Sequence, residues 1–366
     1  MLRLYLPFPL SGKCRKMHQM QARRRIIDAN LNRAREAARV LEDIARFEVE
    51  SGLIASSLKR LRHDIAALRR ADNPIGARDT AGDVGTEISV PEEASRSGAA
   101  DIVAANSARL EESLRVLEEN YKCENAGTAE KTEQLRYTAY RLGAVLLRQI
   151  NIRPRLEKVQ LCVIVTDSLS RHGALETTRR AIEGGADMIQ LREKELGDGK
   201  FLGLARELRE LTRNSDVLFI VNDRADIAAA VGADGVHLGA DDLPIAAVKK
   251  ILGPEALVGA TAHDMEELTR AVEEGADYLG VGPAFVTETK PHEPVRGLGW
   301  IREAVSGAGI PCFAIGGITA ANIKEVVETG ADRVAVCSGV ISSENVVNAA
   351  KTIRFQLPDI NRETEE

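Results

Sequence analysis

The tripeptide Gly-Ala-Asp occurs four times in the second half of the chain, and this repeat limits the possible folds more than any other feature. Each copy precedes a short apolar run, an arrangement in which a left-handed glycine ends a helix and a short loop enters a strand. The regular spacing predicts four β-α-β-α units, in which we interpret the tripeptides as structural. The copies are Gly185–Asp187, Gly232–Asp234, Gly275–Asp277 and Gly330–Asp332.

Eight short apolar runs alternate with helical stretches beyond residue 157, as in a parallel sheet whose strands are buried on both faces. Eight such units in about 200 residues predict an α/β fold, a (β/α)8 TIM barrel over residues 158–357 with a tail at 358–366. The predicted strands are Leu161–Thr166, Met188–Arg192, Val217–Asn222, Gly235–Leu238, Leu257–Ala260, Tyr278–Val281, Cys312–Ile315 and Arg333–Cys337.

The first part of the chain carries its own repeat on helically spaced apolar residues. The pattern Asn-x2-Arg-x2-Glu-x2-Arg-Val-Leu-Glu begins at Asn30 and returns 76 residues later at Asn106. We expect two related hairpins that form an all-α helical-bundle domain over residues 22–153 and end near Pro154. The repeated polar residues are Asn30, Arg33, Glu36 and Arg39, then Asn106, Arg109, Glu112 and Arg115.

Two interpretations of this polar stripe remain open. It could be a salt-bridged bundle surface, or a polar cavity in which the Asn and Arg side chains bind an anion while the glutamates orient them. Repetition of the same polar types slightly favours the ligand interpretation. The stretch between the repeats adds Asp79, Thr80, Asp83 and Thr86 as candidates for a phosphate or metal loop.

Composition excludes several classes of protein. The net charge is −6, and seven basic residues lie in the first 25 positions, which hold no acidic residue. We therefore expect a disordered leader at residues 1–21, with Met17 or Met20 as alternative starts, and no nucleic-acid-binding face. No apolar run is long enough for a membrane span, and five cysteines without a close pair predict a reducing, cytoplasmic setting.

Charged residues follow the predicted strands where barrel active sites lie. Arg192 and Lys194 follow the second strand, and Asp223 and Asp242 follow the third and fourth. Two hard carboxylates suit an Mg²⁺ completed by water and substrate phosphate, although either alone is more typical of a helix cap. His237 is equally consistent with a substrate wall and with plain packing.

Two anion subsites are predicted from the remaining strand ends. We expect an anion clamp after the sixth strand, formed by Thr287, Thr289 and Lys290. Lys290 would join Arg192, Lys194 and the two metal-binding aspartates in a diphosphate subsite. Glycine-rich turns after the seventh and eighth strands offer backbone N–H groups to a single phosphate ester. The residues of that second subsite are Gly317, Val340 and Ile341.

These motifs, QLREK, VND, HLG-x-x-D, GPxFxTxTK, AIGGI and GVIS, together resemble the thiamine-phosphate synthase family. The resemblance implies a Mg²⁺-dependent transferase that joins hydroxymethylpyrimidine diphosphate to hydroxyethylthiazole phosphate and releases pyrophosphate. It implies that Asp223 and Asp242 bind the metal and that Thr261 and Lys290 contact the diphosphate. The implied catalytic residues are Arg192, Lys194, Thr261 and Lys290. The implied pyrimidine-diphosphate ligands are Gln190, Leu191, Arg192, Glu193, Lys194 and Asn222, and the thiazole-phosphate ligands are Thr287, Thr289, Gly317, Val340, Ile341 and Ser342.

Some residues depart from the family pattern. Ala240-Asp241 stands where Gln-Glu is common, Thr261 where serine is usual and Val286 where proline is frequent, but no required charge is lost. The alternative is a thiazole tautomerase of the same superfamily, which has no need of a diphosphate–Mg²⁺ site.

The helical part resembles a domain fused to such synthases and proposed to phosphorylate hydroxymethylpyrimidine monophosphate. The alternative for this part is a non-catalytic docking or oligomerisation module, which would fit a homo-oligomer. Small phosphorylated molecules are the expected partners in either case.

Overall fold

A computed structural model describes residues 12–72, 96–253, 255–287 and 294–360 of the chain. They form two compact units, described separately here. The first contains the described residues up to Glu48 and then Ala55–Leu147, and the second contains Val49–Ile54 and the chain from Arg148 onward.

The first unit is helical, as the repeat predicts. Its helices are α1 (Gly12–Phe47), α2 (Gly52–Asp72), α3 (Ala99–Lys122) and the greater part of α4 (Ala126–Leu156). Helices α1 and α3, which carry the two copies of the repeat, pack along one another. Their apolar positions form a dry core that includes Leu31, Leu41, Leu110 and Leu117, each fully buried.

The leader differs from the sequence-based expectation. Residues 12–21, expected to be disordered, are the first turns of α1. Residues 1–11 lie outside the described part of the chain. The apolar periodicity of α1 begins only near Ile27, which is buried, so the earlier turns carried no amphipathic signal from which a helix could be predicted.

The second unit is a closed barrel of eight parallel strands in the order β1 to β8, which confirms the predicted fold class. The strands coincide with the eight predicted runs to within two residues at either end. They are β1 (Leu161–Val165), β2 (Met188–Leu191), β3 (Leu218–Asn222), β4 (Gly235–Leu238), β5 (Leu257–Ala262), β6 (Tyr278–Val281), β7 (Cys312–Ile315) and β8 (Val334–Val336).

Helices follow the strands around the barrel, and the second unit ends with a helix that packs against α5. They are α5 (Ala174–Glu183), α6 (Asp198–Arg213), α7 (Ala225–Val231), α8 (Ile245–Leu252), α9 (Met265–Glu273), α10 (Gly297–Gly307), α11 (Ile323–Val327), α12 (Ser338–Ile341) and α13 (Val346–Gln356).

The aspartates of the Gly-Ala-Asp repeat occupy the N-terminal ends of the strands. The glycine of every copy has a positive φ, between 63° and 95°, which explains the choice of residue. Asp187, Asp234 and Asp277 accept the backbone N–H groups of Leu161, Phe219 and Val258 at 2.7–2.9 Å. The carboxylates thus satisfy donors at the first residues of the preceding strands, and the repeat is structural as predicted.

The end of α4 belongs to the barrel rather than to the helical unit. Ile152 and Leu156 are almost fully buried in the barrel core with Leu257 and Phe313. The expected break at Pro154 is therefore absent, because burial of these apolar residues holds the helix together to Leu156 despite the proline. The division between the units falls at Leu147–Arg148, a few residues before the predicted boundary.

A buried ion pair joins the end of α4 to the repeat. Arg148 Nε and Nη2 lie 2.5 and 2.6 Å from the two carboxylate oxygens of Asp277, which is completely buried. The adjacent Gln149 donates to the Ala276 carbonyl at 2.9 Å. Two consecutive side chains of α4 are therefore fixed to one turn of the barrel.

Replacing Asp277 with alanine should lower the free energy of unfolding of the barrel by about 3 kcal/mol, because Arg148 would remain buried without its counter-ion. Urea unfolding can be followed through Trp300, the one tryptophan of the sequence, which lies in α10. Arg179→Ala is the control, since its ion pair with Glu176 is exposed and should contribute little. Equal midpoints for the two variants would contradict the proposed weight of the buried pair.

Candidate active site

A cavity opens at the C-terminal ends of the strands, the end at which the sequence places the chemistry. Its lining combines apolar barrel residues with a few polar groups from different strands. These groups are Arg192, Thr261, His263, Thr287, Gly317 and Ser338. The structure thus brings together four of the sequence-predicted site residues, from the ends of β2, β5, β6 and β7.

Polar side chains inside the barrel form two hydrogen-bonded pairs. Gln190 Nε2 donates to Asn222 Oδ1 at 3.0 Å, and both residues are at least nine-tenths buried. On the next strand, where His237 is the register partner of Asn222, His237 Nε2 lies 3.0 Å from Thr261 Oγ1. Four polar residues of neighbouring strands therefore form two pairs inside the barrel, where polar groups are costly unless paired.

Asp223 occupies a special backbone position just beyond β3. Its φ is +61°, in the left-handed region that a non-glycine residue rarely adopts. Its N–H donates to the His237 carbonyl at 2.8 Å, which holds the carboxylate beside the end of β4. A non-glycine residue kept in this conformation is typical of a functional position.

The carboxylates of Asp223 and Asp242 form a hydrogen-bonded pair that Lys194 completes. Lys194 Nζ contacts Asp223 Oδ2, and Asp242 Oδ2 accepts the Gly239 N–H at 2.6 Å. Burial and the hydrogen bond to Asp223 raise the pKa of Asp242, whereas for Asp223 hydrogen bonds from Asp242 and Lys194 outweigh burial and lower the pKa. Burial and the neighbouring carboxylate thus both disfavour the ionised form of Asp242.

This carboxylate pair fits a divalent cation. Oxygen ligands from two aspartates are what Mg²⁺ prefers, and a bound cation would offset the burial and the like charge that raise the pKa of Asp242. Among the described residues no group of three His, Cys, Asp or Glu side chains could hold a metal. Further ligands would therefore be water or substrate oxygens.

The QLREK segment divides between the cavity and the neighbouring loop. Arg192 lines the cavity, and its carbonyl accepts the hydroxyl of Thr166 at 2.7 Å. Glu193 instead accepts the Asp167 N–H at 2.6 Å, and burial raises its pKa. Leu191 is fully buried in β2, so its side chain packs in the barrel wall.

The turn after β7 is built against the loop after β6. Gly316 and Gly317 have φ values of 99° and 64°, and a Cβ on either would come within 2.4 Å of Pro283 or of the Val286 carbonyl. Only glycine fits this approach, which leaves Gly317 in the cavity wall beside Thr287. Thr289 and Lys290 lie outside the described residues.

The segment after β8 differs from expectation. The N–H groups of Val340 and Ile341 donate to the Cys337 carbonyl at 2.9 and 3.0 Å, and both side chains are fully buried. The Ser342 hydroxyl donates to the Leu169 carbonyl at 3.2 Å. The cavity is instead lined by Cys337 and Ser338, because a short helix begins directly at the strand end and buries Val340 and Ile341.

The cysteines of the barrel differ in burial. Cys162 and Cys312 are buried, whereas Cys337 is half-buried and reaches the cavity. His263 also lines the cavity, and its Nδ1 lies 2.9 Å from Glu267 Oε2. An i,i+4 His–Glu spacing at the start of a helix was the available signal for this pair.

The repeated polar residues of the helical unit divide between hydrogen bonds within their own helices and the exposed surface. Asn30 and Asn106 donate to the Ile26 and Ile102 carbonyls of their own helices at 2.9 and 2.8 Å. The other members of the stripe are exposed, namely Arg33, Glu36, Arg39, Arg109, Glu112 and Arg115. Asp79, Thr80, Asp83 and Thr86 lie outside the described residues.

The repeat contains a second polar feature that the sequence reasoning missed. Glu42 and Glu118, the glutamates that end the two copies, are almost fully buried at 3% and 1% exposure. They accept the Nε–H groups of Arg62 and Arg136 at 2.8 and 2.9 Å. Hydrogen bonds from Lys122 and Arg136 outweigh burial and lower the pKa of Glu118. A carboxylate following two apolar residues was the only sequence signal.

Within the described part of the chain, no helix is long and apolar enough to span a membrane.

Comparisons with known proteins agree with this geometry. The family model described as thiamine monophosphate synthase matches residues 161–340, and the model of the ThiD2 family matches residues 25–145. Thiamine-phosphate synthases of Synechocystis sp. and Nostoc sp. are 40% and 41% identical to the chain. The alignments cover 92% and 93% of this chain and 97% and 95% of those proteins.

A solved structure gives the same result for the barrel. Thiamine phosphate pyrophosphorylase from Pyrococcus furiosus is 41% identical with a TM-score of 0.51, and the alignment covers 56% of this chain and 96% of that one. Together with the full-length relatives, this similarity means that the chain belongs to the thiamine-phosphate synthase family, with a ThiD2-family domain ahead of the barrel.

Proposed function

We propose that the cavity joins hydroxymethylpyrimidine diphosphate to hydroxyethylthiazole phosphate, with the diphosphate held at the carboxylate pair and the cations beside it. The observation that carries this proposal is the contact of Lys194 with Asp223 and of Asp223 with Asp242. A metal-binding pair of carboxylates and two cationic side chains at one end of the barrel are what a departing diphosphate requires.

Asp223 and Asp242 would hold Mg²⁺, which when bound would neutralise charge on the leaving diphosphate. Arg192 and Lys194 add fixed positive charge on the same side, and Lys290 would join them from the loop after β6. Departure of the diphosphate leaves a cation on the pyrimidine methylene that the electron-rich aminopyrimidine delocalises. The thiazole nitrogen then captures this cation, with no covalent enzyme intermediate.

Neutral groups would orient the two substrates. The Gln190–Asn222 pair presents amide groups towards the pyrimidine from inside the barrel. Thr261 would contact the diphosphate, and Thr287 with the Gly317 backbone would bind the thiazole phosphate from the opposite wall of the cavity. Thr289 would join the same proposed subsite, whereas the N–H groups of Val340 and Ile341 donate to the Cys337 carbonyl and the Ser342 hydroxyl donates to the Leu169 carbonyl. The protein's main contribution is then positioning and exclusion of water.

Asp242→Ala should reduce kcat by about 100-fold, because the diphosphate would leave without half of its metal site. Asp241→Ala is a matched control, since Asp241 is its exposed neighbour in the same loop. The measurement is pyrophosphate release from both substrates with saturating Mg²⁺. Full activity of Asp242→Ala would remove the metal assignment and favour a tautomerase-like use of the barrel.

Mg²⁺ affinity should fall as the pH is lowered, because the raised pKa of Asp242 means that a proton competes with the metal for the pair. Above that pKa both carboxylates are ionised and the affinity should become independent of pH. Calorimetric titration in two buffers of different ionisation enthalpy measures the protons released per metal bound. Proton release that persists unchanged in Asp242→Asn would contradict the assignment.

We further propose that the helical domain phosphorylates hydroxymethylpyrimidine monophosphate and so supplies the barrel's substrate. The match to the ThiD2 family over residues 25–145 supports this proposal. Arg33 and Arg109 are exposed, and they form no ion pair within the described residues. Two symmetry-related cations are thus available to an anionic ligand, as the repeat suggested.

The full-length Asp242→Ala variant, given ATP and the pyrimidine monophosphate, should accumulate the diphosphate because condensation is blocked. Arg33→Gln with Arg109→Gln should raise the KM for the monophosphate several-fold, since two phosphate contacts would be lost. Arg141→Gln, an exposed arginine of the same unit, is the control. Absence of diphosphate would leave a docking or oligomerisation role for this domain.

A further inference from the structure

A column of aromatic rings runs through the barrel interior to the cavity. The ring centroids of Phe313 and Tyr278 are 5.4 Å apart with an edge-to-face angle of 75°, and those of Tyr278 and His237 are 5.5 Å apart. Phe313 and Tyr278 belong to the barrel core, and His237 is 8% exposed. The imidazole is therefore the last ring of the core column.

Two glycines make the slot for this imidazole. A Cβ at Gly259 would lie 2.2 Å from Tyr278 Cζ and 2.6 Å from His237 Nδ1. A Cβ at Gly280 would lie 3.1 Å from His237 Cε1. The glycines of the neighbouring strands β5 and β6 thus make room for the aromatic rings, and packing holds the imidazole of His237 in one place.

The other edge of the imidazole faces the cavity wall. His237 Nε2 lies 3.0 Å from the hydroxyl oxygen of Thr261, which lines the cavity. A threonine hydroxyl has a single proton, and its rotation decides whether it donates to the histidine or to a ligand. The donor and acceptor roles within this pair therefore decide what the hydroxyl can offer to an anion.

We propose that His237 is a positioning residue that donates its Nε2–H to Thr261 Oγ1 and so directs the hydroxyl proton into the cavity. With this orientation Thr261 donates to a diphosphate oxygen. In the opposite orientation, the hydroxyl proton of Thr261 would be donated to His237, and the oxygen lone pairs would face the anion. The inference rests on the proposed contact between Thr261 and the diphosphate.

The test is a double-mutant cycle on the full-length enzyme, with kcat and the KM of both substrates measured. His237→Phe keeps a ring in the column but removes the donor, and it should lower kcat roughly tenfold, the value of about one oriented hydrogen bond to a charged group. Thr261→Ala should cost at least as much. The double variant should be no slower than Thr261→Ala, because His237 acts only through that hydroxyl.

A conservative variant separates positioning from packing. His237→Gln places an amide N–H near the same point and should recover most of the rate, whereas His237→Asn, whose amide is one bond shorter, should not. Tyr278→Phe keeps the column without touching the Thr261 contact and should retain wild-type kcat. Should His237→Phe not fold, the Gln and Asn variants complete the same cycle with Thr261→Ala.

Two results have different meanings. Full activity of Thr261→Ala would remove the proposed diphosphate contact itself. A Thr261→Ala variant that is slow, but in which the His237 substitution still causes its full further loss, would overturn the positioning role and leave His237 as a packing residue.

Discussion

In a closed barrel of eight parallel strands, the backbone N–H and C=O groups pair between neighbouring strands. Unpaired groups remain only at the N-terminal and C-terminal ends of the strands. At the N-terminal end this protein uses three aspartates of its fourfold repeat, which accept strand N–H groups and pair with arginines such as Arg148 and Arg209. Because those ends are satisfied and covered, the opposite ends are free to carry chemistry. Asp223, Asp242, Lys194 and Arg192 all lie there.

The site then follows from charges that the fold brings close but does not neutralise. Two aspartates share a hydrogen bond at neighbouring strand ends, and one lysine contacts only the first of them directly. A protein seldom keeps such a carboxylate pair without a cation, since like charges at this distance cannot both ionise cheaply. The two aspartates and the cations beside them are thus one proposed binding site. The aspartates would bind a metal cation, and Arg192 and Lys194 would bind an anionic phosphate.

Sequence patterns predicted the features that repeat or end strands, and missed those set by burial in three dimensions. The eight strands and the role of Asp187, Asp234 and Asp277 could be predicted because period and turn chemistry are local properties. The continuation of α4 through Pro154 could not be predicted, because it depends on the burial of Ile152 and Leu156 in the barrel core. Val340 and Ile341 were placed by analogy at a phosphate, but their N–H groups bond the Cys337 carbonyl.

The duplicated helical unit shows how the two kinds of polar residue differ. The stability of the fold explains the ion pairs of Glu42 with Arg62 and of Glu118 with Arg136, because losing one partner of a buried pair is costly. Stability gives no such reason for Arg33 and Arg109, which are exposed and make no ion pair in the described part of the chain. Arg33 and Arg109 occupy equivalent positions of the two copies, so both would be available to the anionic ligand proposed for this unit.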